Sequence, residues 1–261
     1  MILDEIKLKR AEQLEREKAK IPFSEIKKAA EKLTSPCKSF KEAITKENEM
    51  AIIAEVKKAS PSKGIIQPNF DPVRTALEYE KAGAAAISCL TEEHYFKGSS
   101  EYLKEIKKQV SIPVLRKDFI FDTYQIYEAR VIGADAVLLI AAMLDLNTLR
   151  EYRGIAEELG LTVLAESHNE EELNKVLEAG CTVVGINNRD LKTFEVSLDT
   201  TKRLAGLVPE SCVIVTESGI ANNSDIRALR AYGAQAALIG ETLMRSGDIV
   251  KTLAELNTNP F

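Results

Sequence analysis

Four segments of this chain repeat one short pattern, a helix end, a glycine and then an apolar run. They are EKAGAAAISCL (80–90), RVIGADAVLLI (130–140), LEAGCTVVGI (177–186) and RAYGAQAALIG (230–240). Gly83, Gly133, Gly180 and Gly233 suit the left-handed position just past a helix, and they recur about every 50 residues, roughly two strand–helix units per period. Four further hydrophobic runs alternate with them: AIIAEVK (51–57), PVLRKD (113–118), TVLAES (162–167) and CVIVTES (212–218). Together they predict strands at about 51–57, 84–90, 113–117, 135–140, 162–166, 182–186, 212–216 and 236–239.

The segments between strands read as helices. DPVRTALEYEKAG (71–83) offers Asp71 as N-cap and Pro72 at the first helical position. NEEELNKVLEAG (169–180) has an Asn cap, an acidic first turn and a glycine stop. Strict alternation with near-continuous aliphatic strands predicts a parallel sheet covered by helices. Eight units favour closure into a (β/α)8 TIM barrel, although an open doubly wound sheet fits the same pattern. At 261 residues the chain suits one barrel of about 250 residues, so residues 1–261 are expected to form a single domain, with 1–50 as a helical N-terminal extension. That extension, rich in charge (LKRAEQLEREKAK, SEIKKAAEKL), reads either as a solvated helical addition packed on one end of the barrel or as a cap over substrate. The loop KASPSKGIIQPNF (58–70) is long for its type and suits a mobile lid or a phosphate-contacting turn.

The charged-ended strands carry the chemistry. Glu55, Lys57, Lys117, Glu166 and Glu217 sit at or near carboxyl ends of otherwise aliphatic runs, and alternation puts Glu55 and Lys57 on one face. In a closed barrel, inward side chains of alternate strands share a layer at the mouth where catalysis occurs. A buried unpaired charge is expensive, so these groups form either a self-compensating structural cluster or an active site. Lys57 and Lys117, ordinary surface cations if taken singly, become candidate proton donors beside three carboxylates. Glu166, following apolar TVLA, is expected to be pushed toward neutrality by desolvation and to serve as a base.

Gly219 in TESGI (216–220) and Gly240 in LIGETL (238–243) follow the last two strands, where barrels commonly hold phosphate. INNRDL (186–191) ends the sixth strand as a turn with an Arg–Asp pair, or as an Asn that orients substrate and an Arg189 that attracts a carboxylate.

Composition narrows the partners. A net charge of −5 argues against nucleic acid or an anionic membrane surface, and no apolar stretch nears the roughly 20 residues needed to span a bilayer. The charged start MILDEIKLKRAEQLEREK is unlike a secretory signal, so a cytoplasmic location is expected. Cys37, Cys89, Cys181 and Cys212 form no C-x-x-C pair and read as reduced thiols. Neither His94 nor His168 has ligand spacing, so no metal site is expected.

AEVKKASPSKG (54–64), PVLRKDFI (113–120), LAESH (164–168), GINNRDLKTFEV (185–196), TESGI (216–220) and LIGETLMR (238–245) resemble, in order, the motif set of the indole-3-glycerol phosphate synthase family, (β/α)8 enzymes of tryptophan biosynthesis. The likeness runs from about residue 40 to 247. It implies the substrate 1-(2-carboxyphenylamino)-1-deoxyribulose 5-phosphate, closed to an indole with loss of CO2 and water, with no redox cofactor or metal. It leaves open an association with other tryptophan-pathway enzymes.

By the same resemblance Lys117 is the general acid, Lys57 binds the substrate carboxylate and donates in dehydration, and Glu166 is the base that helps expel water. Glu55, Asn187 and Glu217 orient these groups. Ser60, Ser218, Gly219 and Gly240 line the phosphate site, and Arg189 lies near the anthranilate end. Some relatives carry Ser where this chain has Glu241, so there the backbone N–H is expected to serve phosphate while the carboxylate turns away. The competing readings are another phosphate-binding barrel, of the phosphoribosyl isomerase type, and a barrel that binds a phosphorylated metabolite without catalysis.

Overall fold

A computed structural model describes residues 2–45, 49–191 and 193–257. Met1 and 46–48 of the expected extension, Lys192 of the GINNRDLKTFEV segment, and 258–261 lie outside the described residues. Eight parallel strands close on themselves: β1 (Ala51–Val56), β2 (Ala86–Leu90), β3 (Val114–Lys117), β4 (Ala136–Ile140), β5 (Thr162–Ser167), β6 (Val183–Asn187), β7 (Val213–Glu217) and β8 (Ala236–Ile239). Each pairs with the next in sequence, and β8 pairs with β1. Closure settles the barrel against the doubly wound alternative.

Around the strands run α4 (Pro72–Lys81), α5 (Ser100–Gln109), α6 (Thr123–Val131), α7 (Leu146–Glu158), α8 (Glu170–Glu178), α9 (Asp199–Ala205), α10 (Asn223–Ala231), α11 (Glu241–Met244) and α12 (Ile249–Asn257), after α1 (Ile2–Lys20), α2 (Phe23–Glu31) and α3 (Phe40–Ala43) in the extension. The repeated glycine has a physical reason. Gly83, at φ 91°, lets the Ala84 N–H reach back 3.0 Å to the Tyr79 carbonyl. The same bond recurs from Ala134 to Ala129, Cys181 to Val176 and Ala234 to Leu229. Each closes a helix and launches the next strand. Asp71 and Asn169 cap α4 and α8 by accepting the Arg74 and Glu172 N–H groups.

Strand parity divides the core. One face of each strand, including Ile52, Ala54, Ile87, Val114, Val137, Val163, Val184 and Ile214, packs under the helices. The other, including Ala51, Ile53, Leu115, Leu138, Leu164, Val183, Val215 and Leu238, fills the barrel interior. Continuing that inward set toward the carboxyl ends reaches Glu55, Lys117, Glu166, Asn187 and Glu217. The alternation that buries the aliphatics thus carries the charges into the mouth.

The extension does not sit on one end only. Phe40 and Ile44, in and just after α3, are fully buried against Ala51, Ala136 and Val213 at the strands' amino ends and plug the barrel floor. At the opposite end Ile2, Leu3 and Ile6 of α1 line the cavity of the mouth. Nor is α1 merely solvated. Arg10 is fully buried, its Nε 2.9 Å from Asp118 Oδ1 and its Nη1 2.9 Å from Glu17 Oε2. Asp118 also accepts from Thr91 and pairs with Arg116, which reaches Glu128 at 2.6 Å. Every charge in this network has a partner of opposite sign, which is how it survives burial. Among the described residues no helix is long and apolar enough to cross a membrane.

Arg10 thereby fastens α1 to the residue next to Lys117. Arg10→Met leaves Asp118 with one guanidinium fewer in a buried site, and removing one partner of such a pair costs about 3–5 kcal/mol. Urea unfolding should show a loss of that order; a loss within experimental error of zero would mean the pair contributes nothing to holding α1.

Candidate active site

All twelve residues singled out from the sequence, Glu55, Lys57, Ser60, Lys117, Glu166, Asn187, Arg189, Glu217, Ser218, Gly219, Gly240 and Glu241, line one cavity of about 660 Å³ at the carboxyl ends of the strands. Odd-numbered strands supply the charged layer: Glu55 from β1, Lys117 from β3, Glu166 from β5 and Glu217 from β7. Lys117 stands between two carboxylates, with Nζ 3.1 Å from Glu166 Oε2 and a shorter contact to Glu217 Oε2. Lys57 pairs with Glu55 at 2.5 Å.

Two glycines make room for these pairs. A Cβ at Gly240 would collide with Glu55 Oε1 and lie 2.9 Å from Lys57 Nζ, and one at Gly185 would lie 2.6 Å from Glu217 Oε1. Gly185 was not singled out from the sequence, because a glycine within an apolar strand looks like a packing residue until the opposing carboxylate is known.

Proton affinities in the cluster follow from its charges. Burial works to lower the Lys117 pKa, but Glu217, Glu166 and Glu55 outweigh it and the net shift is upward. Burial works to raise Glu166, and there Lys117 and His168 prevail, so Glu166 is held well below the usual carboxylate range. This corrects the expectation that desolvation pushes Glu166 toward neutrality. The carboxyl so raised is Glu217, to about 7, by burial and the neighbouring Glu166, with Lys117 only partly offsetting them. The asymmetry has a visible source. Glu166 faces an ammonium and an imidazole, whereas Glu217 faces the ammonium alone and its Oε1 accepts no hydrogen bond among the described residues.

The loops complete the cavity. Ser60 belongs to a two-residue strand, Ala59–Ser60, paired antiparallel with Gly64–Ile65 inside the 58–70 loop. Asn187 Oδ1 accepts the Arg189 N–H at 3.0 Å, and Arg189 Nη1 lies 3.5 Å from the Phe194 carbonyl. Asn188, buried, bonds Thr216 Oγ1 and the Ser218 carbonyl while its own oxygen accepts from Thr201. It braces Ser218 and Gly219, which hold φ values of 67° and 81°. Glu241 pairs with Arg245 along α11 at 3.0 Å. Asn188, Arg245 and His168 were missed as site residues, although each lies inside a segment that carried the resemblance. Phe96, Phe119, Leu138 and Ile140, with Leu3 and Ile6, give the cavity an apolar side. No group of His, Cys, Asp and Glu among the described residues could hold a metal ion.

The fold and this layer of paired charge define a (β/α)8-barrel enzyme. The family profile described as Indole-3-glycerol phosphate synthase matches residues 3–256, and the chain belongs to that family. It is 54 % identical over 256 residues to the indole-3-glycerol phosphate synthase of Ruminiclostridium cellulolyticum, covering 98 % of each chain. It is 47 % identical over 258 residues to that of Alkaliphilus metalliredigens, covering 99 % of this chain and 98 % of the relative. The 3-hexulose-6-phosphate synthase structure from Salmonella typhimurium superposes with a TM-score of 0.65 at 14 % identity, over 79 % of this chain and 96 % of that one. That likeness is one of fold.

The raised Glu217 makes stability depend on pH with a definite sign. The folded state holds this proton more tightly than the unfolded chain does, so the stabilisation is fully present below about 4.5 and lost as pH rises through about 7. Glu217→Gln mimics the protonated acid and removes that dependence. The stability of wild type relative to the variant, read by urea unfolding, should therefore fall across that window. A difference that stays flat or grows would contradict the assignment.

Proposed function

We propose that this chain closes 1-(2-carboxyphenylamino)-1-deoxyribulose 5-phosphate to indole-3-glycerol phosphate, releasing CO2 and water. The observation that carries the reading is the Lys117 ammonium, buried between two carboxylates at the mouth of a barrel whose family is known. As the ring carbon attacks the ketone, negative charge grows on its oxygen, and Lys117 stabilises that charge and protonates it. Loss of CO2 from the same ring carbon restores aromaticity. The hydroxyl then leaves as water with a proton from an acid, the role we give to Lys57, and the adjacent methylene carbon yields a proton to Glu166. A positioned acid or base contributes about 10² to 10⁴-fold.

Lys57 also serves the substrate carboxylate, with Glu55 holding it in place at 2.5 Å. Asn187 and Glu217 orient the substrate hydroxyls, and Arg189 guards the anthranilate end. The apolar side of the cavity accepts the aromatic ring. For the phosphate we propose the backbone N–H groups of 219, 240 and 241 with the Ser60 hydroxyl. The first N–H groups of a helix have no acceptor within it, and α11 begins here. Glu241 fits this division because its carboxylate is engaged by Arg245, leaving the N–H to the anion.

Purified protein incubated with the carboxyphenylamino substrate should produce indole absorbance. In that assay Lys117→Ala should abolish turnover while substrate affinity stays within roughly tenfold, because a proton donor used in the transition state contributes to kcat rather than to ground-state binding. Normal kcat in the variant would remove Lys117 from the mechanism. Lys57→Ala should instead weaken binding as well, and an unchanged KM would count against its carboxylate role.

A further inference from the structure

Glu166 faces two cations, and the proposed mechanism uses only one of them. The second is His168, two residues further along the chain, whose side chain is 8 % exposed. Its Nε2 lies 3.2 Å from Glu166 Oε1, and its Nδ1 lies 2.9 Å from Glu172 Oε2. The His168 backbone N–H also donates to Glu172 Oε2, at 2.9 Å. Glu172 is itself fixed in the first turn of α8, where Asn169 Nδ2 donates to its Oε1 at 2.8 Å. The imidazole is therefore clamped between the end of β5 and the start of α8.

This placement defines the protonation of the ring. A neutral imidazole has one N–H and one bare nitrogen. Nδ1, in hydrogen-bond contact with a carboxylate, needs its proton. A bare Nε2 would then set its lone pair against a second carboxylate oxygen 3.2 Å away, so Nε2 needs one too. Burial opposes the positive charge, but Glu166 and Glu172 outweigh it and carry the His168 pKa up to about 10. The charged groups around the ring are Glu166 on β5 and Glu172 on α8, with Lys117 of β3 on the other oxygen of Glu166 and Glu217 of β7 beyond it. Nε2 is within ion-pair distance of Glu166, yet it makes no formed hydrogen bond.

We propose that His168 is a positioning residue that keeps Glu166 ionised and aimed when Lys117 turns from Glu166 to the substrate oxygen. The proposal rests on the role of Glu166 given above. With Lys117 engaged elsewhere, Glu166 alone in a buried site would take up a proton and cease to be a base. The imidazolium prevents this, and closure of the unmade Nε2 hydrogen bond replaces the contact Lys117 has given up.

Two measurements test it, and the first needs no substrate. Nitrogen NMR of the wild-type protein contains only two imidazoles, His94 and His168, and a His94→Gln variant leaves one. That ring should stay doubly protonated past about pH 8, beyond the ordinary histidine value of about 6.5; a neutral ring near pH 7 would overturn the proposal. The second measurement is the pH profile of kcat for His168→Gln, which keeps a side-chain amide donor and loses the charge. Its acidic limb should move upward by about 1 to 3 pH units, the effect of removing an opposite charge from a carboxylate. Near pH 7, kcat should fall roughly tenfold with KM little changed, a part of what a positioned base supplies.

Glu172→Gln, which loosens the clamp without touching Glu166, should move the limb the same way by less. A purely structural pin would alter stability and leave the limb where it is, and that result would overturn the proposal. Should the wild type fail to turn over the substrate, the functional reading falls, and the NMR titration still decides the charge of His168.

Discussion

The architecture of the mouth depends on one buried ammonium shared by two carboxylates. Lys117, Glu166 and Glu217 come from β3, β5 and β7, so their meeting requires the barrel to be closed and its inward layer to be in register. Neither a flat sheet nor a slip of one residue would bring them together, because a slip turns every side chain to the opposite face. Without Lys117, two carboxylates would share a dry site, and one would be forced to stay protonated at neutral pH. With it, the cluster still carries one negative charge more than its ammonium balances. Glu217 absorbs that excess by holding its proton, while His168, itself balanced by Glu172, favours the ionised form of Glu166. The result is an ammonium and a carboxylate 3.1 Å apart, each biased toward its charged form.

The extension ties stability to this site. Arg10 of α1 reaches across to Asp118, the residue after Lys117, while Ile2, Leu3 and Ile6 of the same helix roof the cavity. An unpaired Asp118 would disturb the carboxyl end of β3 from within, so α1 and β3 hold each other in place. At the opposite end Phe40 and Ile44 close the floor. By contrast Gly64 and Ile65, in the hairpin that carries Ser60, are exposed. The charged layer is thus buried, while part of the hairpin beside it faces solvent. That combination suits a reaction in which substrate must enter and the attacking carbon must then be held.

The barrel was legible because two local rules repeat. A glycine past each of four helices marks where the following strand begins, and apolar alternation marks how far it runs, so strand limits are read to within two residues. Glu55, Lys57, Lys117, Glu166 and Glu217 stood out because charge at the end of an aliphatic strand is conspicuous, whereas the other seven candidates rested on glycine position, turn composition and the family motifs; all twelve line one cavity. What the sequence hides depends on which side chains the fold brings into contact. Arg10 looks like one more solvated cation on a charged helix until Asp118, 108 residues on, is brought beside it. His168 looks like a lone histidine until Glu172 is folded back onto it. The proton affinity of Glu166 was misjudged because the flanking TVLA suggests desolvation, whereas the ammonium and imidazole that outweigh it are a matter of three-dimensional contact. Gly185 shows its purpose only when Glu217 is seen against it.

The most direct test of the whole account is a crystal structure with an unreactive substrate in which the ketone has been reduced to an alcohol. This alcohol oxygen should lie within hydrogen-bond reach of Lys117 Nζ. The phosphate should sit on the amides of 219, 240 and 241, and Glu166 should turn to His168 through a formed hydrogen bond. A complex in which the phosphate lies elsewhere, with Lys117 still bridging Glu166 and Glu217 and no contact to the alcohol, would contradict it.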